Sequence, residues 1–173
     1  MFMSKNGFRF SAVTSIVLLS LLATGLGVAY GAQGDGKIDI TLTPGAINTA
    51  VTEDNIGDTV CKIGFTKTIR PSESYTYSLK MRQLRSGYNL NGDTKAGNYE
   101  EDHMVPLSVG GAPKDEKNLW PQPRKIYPGA AEKDKLELLA WKKLCKREIT
   151  LKEAQSYFLN GNWEKSYFKF FKK

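Results

Sequence analysis

The apolar and polar positions divide the chain into an apolar N-terminal segment and a longer part of mixed polarity. An apolar run occupies about residues 11–30, and no charged residue lies between Arg9 and Asp35. Basic residues before such a run and small residues such as Gly31 at its end are typical of a secretory signal peptide. The pattern therefore predicts a signal peptide over residues 1–32.

An uncleaved membrane anchor is the alternative for this segment, because about 18 or more consecutive apolar residues can span a bilayer. Lys5 and Arg9 would then hold the N-terminus in the cytoplasm and place the rest of the chain outside. The small residues at the end of the run favour cleavage. Both interpretations export residue 33 onward, to the periplasm or the medium, and after cleavage we expect no stable association with the membrane.

The first half of the exported part shows weak patterns and one helical one. Residues 33–58 are rich in Gly, Thr and Asp and predict an extended or irregular lead-in. Weak alternation of apolar positions over 59–69 predicts a short strand or extended segment. Apolar positions at helical spacing over 74–84, after a serine that can cap them, predict a helix. Glycines and asparagines over 86–98 predict a loop.

The second half shows stronger signals. Alternating apolar positions over 99–109 predict an extended segment, although Pro106 argues against a regular central strand. A double glycine after Val109 turns the chain, and a second extended piece starts at Asn118. Helical spacing then predicts a helix over residues 130–145.

Two further helices are predicted near the C-terminus. Thr150 and Glu153 form a capping box that predicts a helix up to Asn160. The tail over 163–173 alternates aromatic residues with lysines, and we expect a helix that packs its aromatic side chains on the domain. The order extended–turn–extended–helix, followed by these helices, predicts a small α+β domain over residues 59–173.

The chain has two cysteines, Cys61 and Cys145. An exported protein folds in an oxidising compartment, so the even count predicts a disulfide between them. The alternative is two unrelated buried thiols. Closing so long a loop would add roughly 4 kcal/mol of stability on the chain-entropy model.

The charge of the chain fits a polyanionic partner without requiring one. Removing residues 1–32 takes away two basic residues and no acidic one, so the formal charge falls from +7 to +5. A modest basic excess is typical of nucleic-acid-binding proteins, but it is also common in basic exported proteins of other kinds.

The only histidine of the chain, His103, follows directly after Asp102. Imidazole is the one unperturbed side chain that titrates near neutral pH, so acid–base chemistry by imidazole can use only His103. Hydrolysis of a phosphodiester needs a base for the attacking water and a cation for the developing negative charge. Carboxylates are ligands that Mg²⁺ prefers.

The sequence EDHMVPLSVGG at 101–111, followed by NLWPQ at 118–122, resembles the HNH (ββα-metal) endonuclease family. The resemblance is strongest to an exported bacterial group with the motif Glu-Asp-His…Gly-Gly…Asn-Leu-Trp-Pro-Gln. It extends to KDKLE at 133–137 and to both cysteines, and it covers most of residues 43–163. It implies a ββα-metal core and metal-dependent cleavage of nucleic acid, with DNA favoured over RNA. We expect low sequence specificity, because no separate sequence-reading module is visible.

The resemblance also implies roles for individual residues. His103 would be the general base that activates water, and Asp102 would be a metal ligand. Asn118 would brace the loop and orient His103; the alternative is a turn asparagine that satisfies backbone groups. The metal would be Mg²⁺, with Mn²⁺, Ni²⁺ or Zn²⁺ as alternatives.

The sequence departs from the family at the helix that usually supplies a further His or Asn to the metal. No second histidine follows His103. Asp134 and Glu137, three residues apart on one helix face, are the candidate ligands. The alternative is an exposed i,i+4 ion pair between Lys133 and Glu137. The missing helix ligand also leaves open a non-catalytic exported protein on the same fold, which would bind nucleic acid or belong to the envelope.

Basic residues near the motif are candidates for contacts with substrate phosphates. They are Arg124, Lys125 and Lys133. Ordinary surface positions are the commoner explanation for such residues. Trp120 is a candidate for stacking on a base, although a tryptophan next to Pro121 more often lies in a core.

Overall fold

The computed structural model describes residues 34–172. The predicted signal peptide lies outside the described residues. Five α-helices and one two-stranded antiparallel sheet occur in the described part, so the predicted mixture of helix and strand is confirmed. None of the helices in this part is long and apolar enough to cross a membrane.

The helices and strands of residues 34–172 follow one another along the chain in the order of two helices, two strands and three further helices. The helices are α1 Phe65–Ile69, α2 Glu73–Arg85, α3 Ala130–Cys145, α4 Leu151–Ser156 and α5 Trp163–Phe171. The strands, β1 Tyr99–His103 and β2 Leu119–Pro123, lie between α2 and α3 in the chain. Single 3-10 turns occur at Glu53–Asn55, Ala96–Asn98, Leu107–Val109, Glu116–Asn118 and Leu159–Gly161.

The two strands form a short hairpin with a long connection. Asp102 pairs with Trp120 and His103 pairs with Leu119. β2 contains two prolines, which a two-stranded sheet tolerates because both of its strands are edges. The connection carries the double glycine: a Cβ on Gly111 would lie 1.8 Å from the carbonyl oxygen of Val105, so only glycine fits there.

The sheet has a different helix on each face. Successive residues of a strand point to opposite faces. Glu101 and His103 share one face of β1, where they border a cleft with residues of α2. Asp102 faces α3, where its carboxylate contacts Lys133. The sheet therefore separates the two sides on which the predicted site residues lie.

The main core lies between α3, the C-terminal helices and the loops that pack on them. Leu136, Ala140 and Leu144 give α3 a buried face, as the helical spacing predicted. The lead-in contributes Val51 and Ile56 to the same cluster. Trp120 is also in this cluster, with 2% of its surface exposed, so it is a core residue and is not available for base stacking.

The strand predicted over residues 59–69 is wrong. The chain makes successive turns there and then forms α1. Ile63 is 96% exposed, whereas Phe65, which would share its face in a strand, packs against the core. Gly64, with φ of 87°, precedes the helix and sets its direction. The apolar residues of this segment thus alternate in sequence but differ in burial.

The other helix predictions agree with the structure, with one change of length. Ser72 accepts a hydrogen bond from the Tyr75 N–H and caps α2. Thr150 likewise caps α4 by accepting from the Glu153 N–H at 3.1 Å. That helix ends at Ser156, earlier than predicted, and α5 follows it.

The predicted disulfide between Cys61 and Cys145 is confirmed. It joins the turn before α1 to the last residue of α3. Beside it, the Trp141 indole N–H donates to the Val60 carbonyl oxygen at 2.9 Å. The disulfide and this hydrogen bond hold the N-terminal turns on α3.

Candidate functional site

A cleft of about 420 Å³ opens between α2 and β1. We call it the His103 cleft, because the only histidine of the chain is part of its wall. Three basic side chains and three acidic ones also line it: Arg70, Lys80, Arg124, Glu73, Glu100 and Glu101. The cleft therefore combines an imidazole with carboxyl groups and basic side chains.

The His103 side chain is held in one orientation. It is 5% exposed, and its Nε2 lies 3.0 Å from the Pro113 carbonyl oxygen. A carbonyl oxygen only accepts hydrogen bonds, so Nε2 carries the proton and donates, and Nδ1 of the neutral ring keeps a lone pair. Burial lowers the pKa of His103 below its ordinary value, although the Pro113 carbonyl and Asp102 oppose this effect. The ring is therefore neutral at neutral pH and can accept a proton at Nδ1.

Asn118 fixes the connection on which this orientation depends. Its side chain is fully buried, and its amide nitrogen donates to the carbonyl oxygens of Val105 at 3.0 Å and Ala112 at 2.9 Å. Its amide oxygen accepts from the N–H groups of Val105 and Ala46. The residue after Ala112 is Pro113, the partner of His103. Asn118 thus satisfies backbone groups and, by doing so, positions the acceptor for the imidazole.

Glu101 is a member of the cleft that sequence reasoning missed. Both of its carboxyl oxygens are buried, with no hydrogen-bond partner in the described part of the chain. Burial raises its pKa to about 8, and the positive charge of Lys80 opposes this only in part. The period-two alternation of β1 could have found it, because a residue two before His103 lies on the same face.

The basic residues of the cleft differ in the hydrogen bonds and ion pairs that they make. Lys80 donates to the Tyr99 carbonyl oxygen at 3.3 Å. Arg124 pairs with Glu100 at 2.9 Å, with both side chains about half exposed. Arg70 is exposed, and its guanidinium group has no ion pair among residues 34–172. Exposed ion pairs are weak, so an incoming phosphate can compete for these groups.

The predicted phosphate-binding residues have separate positions. Arg124 lines the His103 cleft, and its contact with phosphate stays a prediction. Lys125 is exposed in the turn that follows β2. Lys133 is 1% exposed and lies on the other side of the sheet, where it pairs with Asp102 and Glu137. Its prediction as a phosphate contact is wrong, because its charge is enclosed by these two carboxylates.

The predicted metal ligands lie on the α3 side of the sheet. The Lys133 ammonium group is 2.8 Å from an Asp102 carboxylate oxygen and also contacts the Glu137 carboxylate. The predicted alternative, an i,i+4 pair of Lys133 and Glu137, exists, but its lysine is buried and its glutamate is only partly exposed. Burial alone would lower the pKa of Lys133, yet the two carboxylates raise it above its ordinary value. Lys133 is therefore charged.

Asp134 takes no part in the ion pairs that Lys133 makes with Asp102 and Glu137. It is exposed at the edge of a shallow cavity of about 280 Å³, which Glu137 and Trp141 also line. Within residues 34–172, no group of three or more His, Cys, Asp or Glu side chains is arranged to hold a metal ion. Asp102 and Glu137 do not fit a divalent cation in this arrangement, because an ammonium group already contacts both carboxylates.

The structure thus brings His103 together with Arg124, and it places Asp102, Asp134 and Glu137 on the opposite side of the sheet. It also adds Glu101, Arg70 and Lys80 to the His103 side. No protein-family model matches the chain, and no curated protein and no solved structure matches it either.

Proposed function

We propose that the chain is an exported nuclease that hydrolyses phosphodiester bonds of nucleic acid, with DNA favoured over RNA, on an HNH-like (ββα-metal) core. The order of β1, its connection, β2 and α3 supports this core. The observation that carries the proposal is the His103 cleft. It places a neutral, oriented imidazole beside three basic side chains.

The residues of the cleft suit the steps of hydrolysis. Nδ1 of His103 takes a proton from a water molecule, and the water oxygen attacks the phosphorus atom. Arg70, Lys80 and Arg124 stabilise the negative charge that develops on the phosphate oxygens. The bond from phosphorus to the leaving oxygen breaks, and that oxygen takes a proton from solvent.

The sequence predicted a divalent metal on Asp102 with Asp134 or Glu137 as a further ligand. Since Asp102 and Glu137 contact Lys133 instead, we assign no catalytic step to a metal. A requirement for Mg²⁺, or for Mn²⁺, Ni²⁺ or Zn²⁺ in its place, stays a prediction.

The second candidate is a non-catalytic exported protein that binds nucleic acid through the same cleft. The pairing of Asp102 with Lys133 favours it, because a family member that had lost its metal site could keep the basic side chains of the cleft without cleaving. Binding without cleavage would identify this alternative.

A plasmid assay separates the two candidates. The protein exported by an expression host is incubated with supercoiled DNA, with each of the four metals and with EDTA. We expect nicked and linear products, and their loss in His103→Ala. The matched control is Lys152→Ala, which removes an exposed charge on α4 and should leave the rate close to wild type. Binding of DNA with no product under any condition would support the non-catalytic candidate.

A further inference from the structure

Lys133 is an unusual residue for the interior of a small domain. Its side chain is 1% exposed, and lysine is almost never fully buried unless it is paired. Its ammonium group contacts Asp102 on β1 and Glu137 on α3, and it lies 5.5 Å from the centre of the Phe158 ring. The amphipathic stem and the charge are thus both accommodated inside the protein.

The three groups form a nearly balanced set. Two carboxylates and one ammonium group together have a charge of −1 when all are ionised. A divalent cation that approached the carboxylates with Lys133 in place would meet a buried positive charge at short range, which is strongly unfavourable in a low dielectric. Mg²⁺ also needs oxygen ligands at about 2.0–2.1 Å in near-octahedral geometry, and it keeps several waters. One oxygen of each carboxylate is already occupied by the Lys133 ammonium group, so a metal ion would have to compete with a charge that is fixed in place.

The position of the set explains what it does for the fold. It joins the penultimate residue of β1 to the second turn of α3, and His103 is the next residue along β1. A metal ion that linked β1 to α3 at this point would have to bind between the Asp102 and Glu137 carboxylates. Lys133 supplies that cation from within the chain.

We propose that the Lys133 ammonium group is a built-in replacement for a divalent metal, so that the Asp102–Glu137 site takes no metal in the wild-type protein and becomes a divalent-cation site when the lysine charge is removed. The proposal rests on the ion-pair geometry and does not depend on the chain being a nuclease. It disagrees with the metal requirement that the sequence predicted.

Metal binding to the full exported protein tests this directly, with no nucleic acid present. Free Mn²⁺ is measured by electron paramagnetic resonance during titration, and the melting temperature is measured with Mn²⁺ and with EDTA. Wild type should bind no stoichiometric Mn²⁺ and should melt at the same temperature in both conditions. Lys133→Met, which keeps the apolar stem, should bind one Mn²⁺ and should melt at a higher temperature with Mn²⁺ than with EDTA.

Controls assign the new site to the two carboxylates. Lys133→Arg keeps a positive charge and should bind no Mn²⁺. Lys135→Met removes an exposed lysine of the same helix and should behave as wild type. Lys133→Met combined with Asp102→Asn should lose the Mn²⁺ that Lys133→Met gained. If Lys133→Met does not fold, Lys133→Gln serves in its place, because it is also uncharged and can hydrogen-bond to the carboxylates.

Two results would overturn the proposal. One is stoichiometric Mn²⁺ binding by wild type that Asp102→Asn abolishes, because the metal would then displace Lys133. The other is a folded Lys133→Met or Lys133→Gln protein that binds no Mn²⁺, because the freed carboxylates would not then form a cation site. Neither result depends on DNA cleavage, so the proposed function can fail while this inference stands, and the reverse is also true.

Discussion

Replacing Glu101 with glutamine should stabilise the protein at alkaline pH. The substitution keeps the shape of the side chain and removes a carboxyl group whose two oxygens are buried without a hydrogen-bond partner in the described part of the chain. A buried charge without such partners is costly, so the folded protein binds the Glu101 proton more tightly than the unfolded chain does. Glutamine has no proton to lose and is free of this cost.

The magnitude follows from the pKa of Glu101, which is raised from 4.5 to about 8 mainly by burial. Each tenfold difference in proton affinity corresponds to about 1.4 kcal/mol, so complete ionisation would cost on the order of 5 kcal/mol of stability. The folded pKa lies above the unfolded one. The stability that the neutral Glu101 carboxyl group contributes is therefore fully present below about pH 4.5, and it is lost progressively as the pH rises through about 8.

Urea unfolding at a series of pH values and constant ionic strength measures this effect. Between the two pKa values, the free energy of unfolding should fall with pH in wild type more steeply than in Glu101→Gln. Glu100→Gln is the matched control, because it removes an exposed carboxylate from the same strand, and it should change stability by less than about 1 kcal/mol. Parallel pH curves for wild type and Glu101→Gln would refute the reasoning.

Three further predictions concern the parts that hold the site. Reduction of the disulfide, which closes a separation of 84 residues, should cost about 4–5 kcal/mol on the chain-entropy model; an unchanged melting curve with dithiothreitol would contradict this. Gly111→Ala should destabilise the protein strongly in thermal unfolding, since its Cβ would meet the Val105 carbonyl at 1.8 Å, whereas Gly57→Ala has open space and should unfold near the wild-type temperature. Asn118→Ala leaves buried backbone groups of the connection without partners and should cost about 3 kcal/mol or more in urea unfolding; a loss below about 1 kcal/mol would show that the connection is held by other contacts.

Local signals in the sequence were enough to predict α2, α3, α4 and α5, but α1 was missed. α2 and α3 have apolar positions at helical spacing, and α2 and α4 have capping residues that the structure uses as expected. These signals act over a few residues, so tertiary packing is not needed to read them. The segment 59–69 failed because its alternation was weak and Ile63 faces solvent.

The site was only partly predictable, because strand alternation and helix spacing place a residue on a face without showing what covers it. His103 and Asn118 could be singled out from the motif. The burial of Lys133 depends on β1 and α3 meeting, and the arrival of Arg70 and Lys80 in the cleft depends on α2 packing against β1. Such contacts join distant parts of the chain, and charge alone did not distinguish these residues from ordinary surface ones.

The most direct test of the central claim is the initial rate of plasmid nicking by wild type and His103→Ala, measured side by side on folded protein of verified melting temperature. The proposed function predicts cleavage by wild type and a rate lower by a factor of about 10²–10⁴ in His103→Ala, since a positioned general base typically contributes that much. Equal rates for the two proteins, or no cleavage by wild type with any of the four metals or with EDTA, would contradict it.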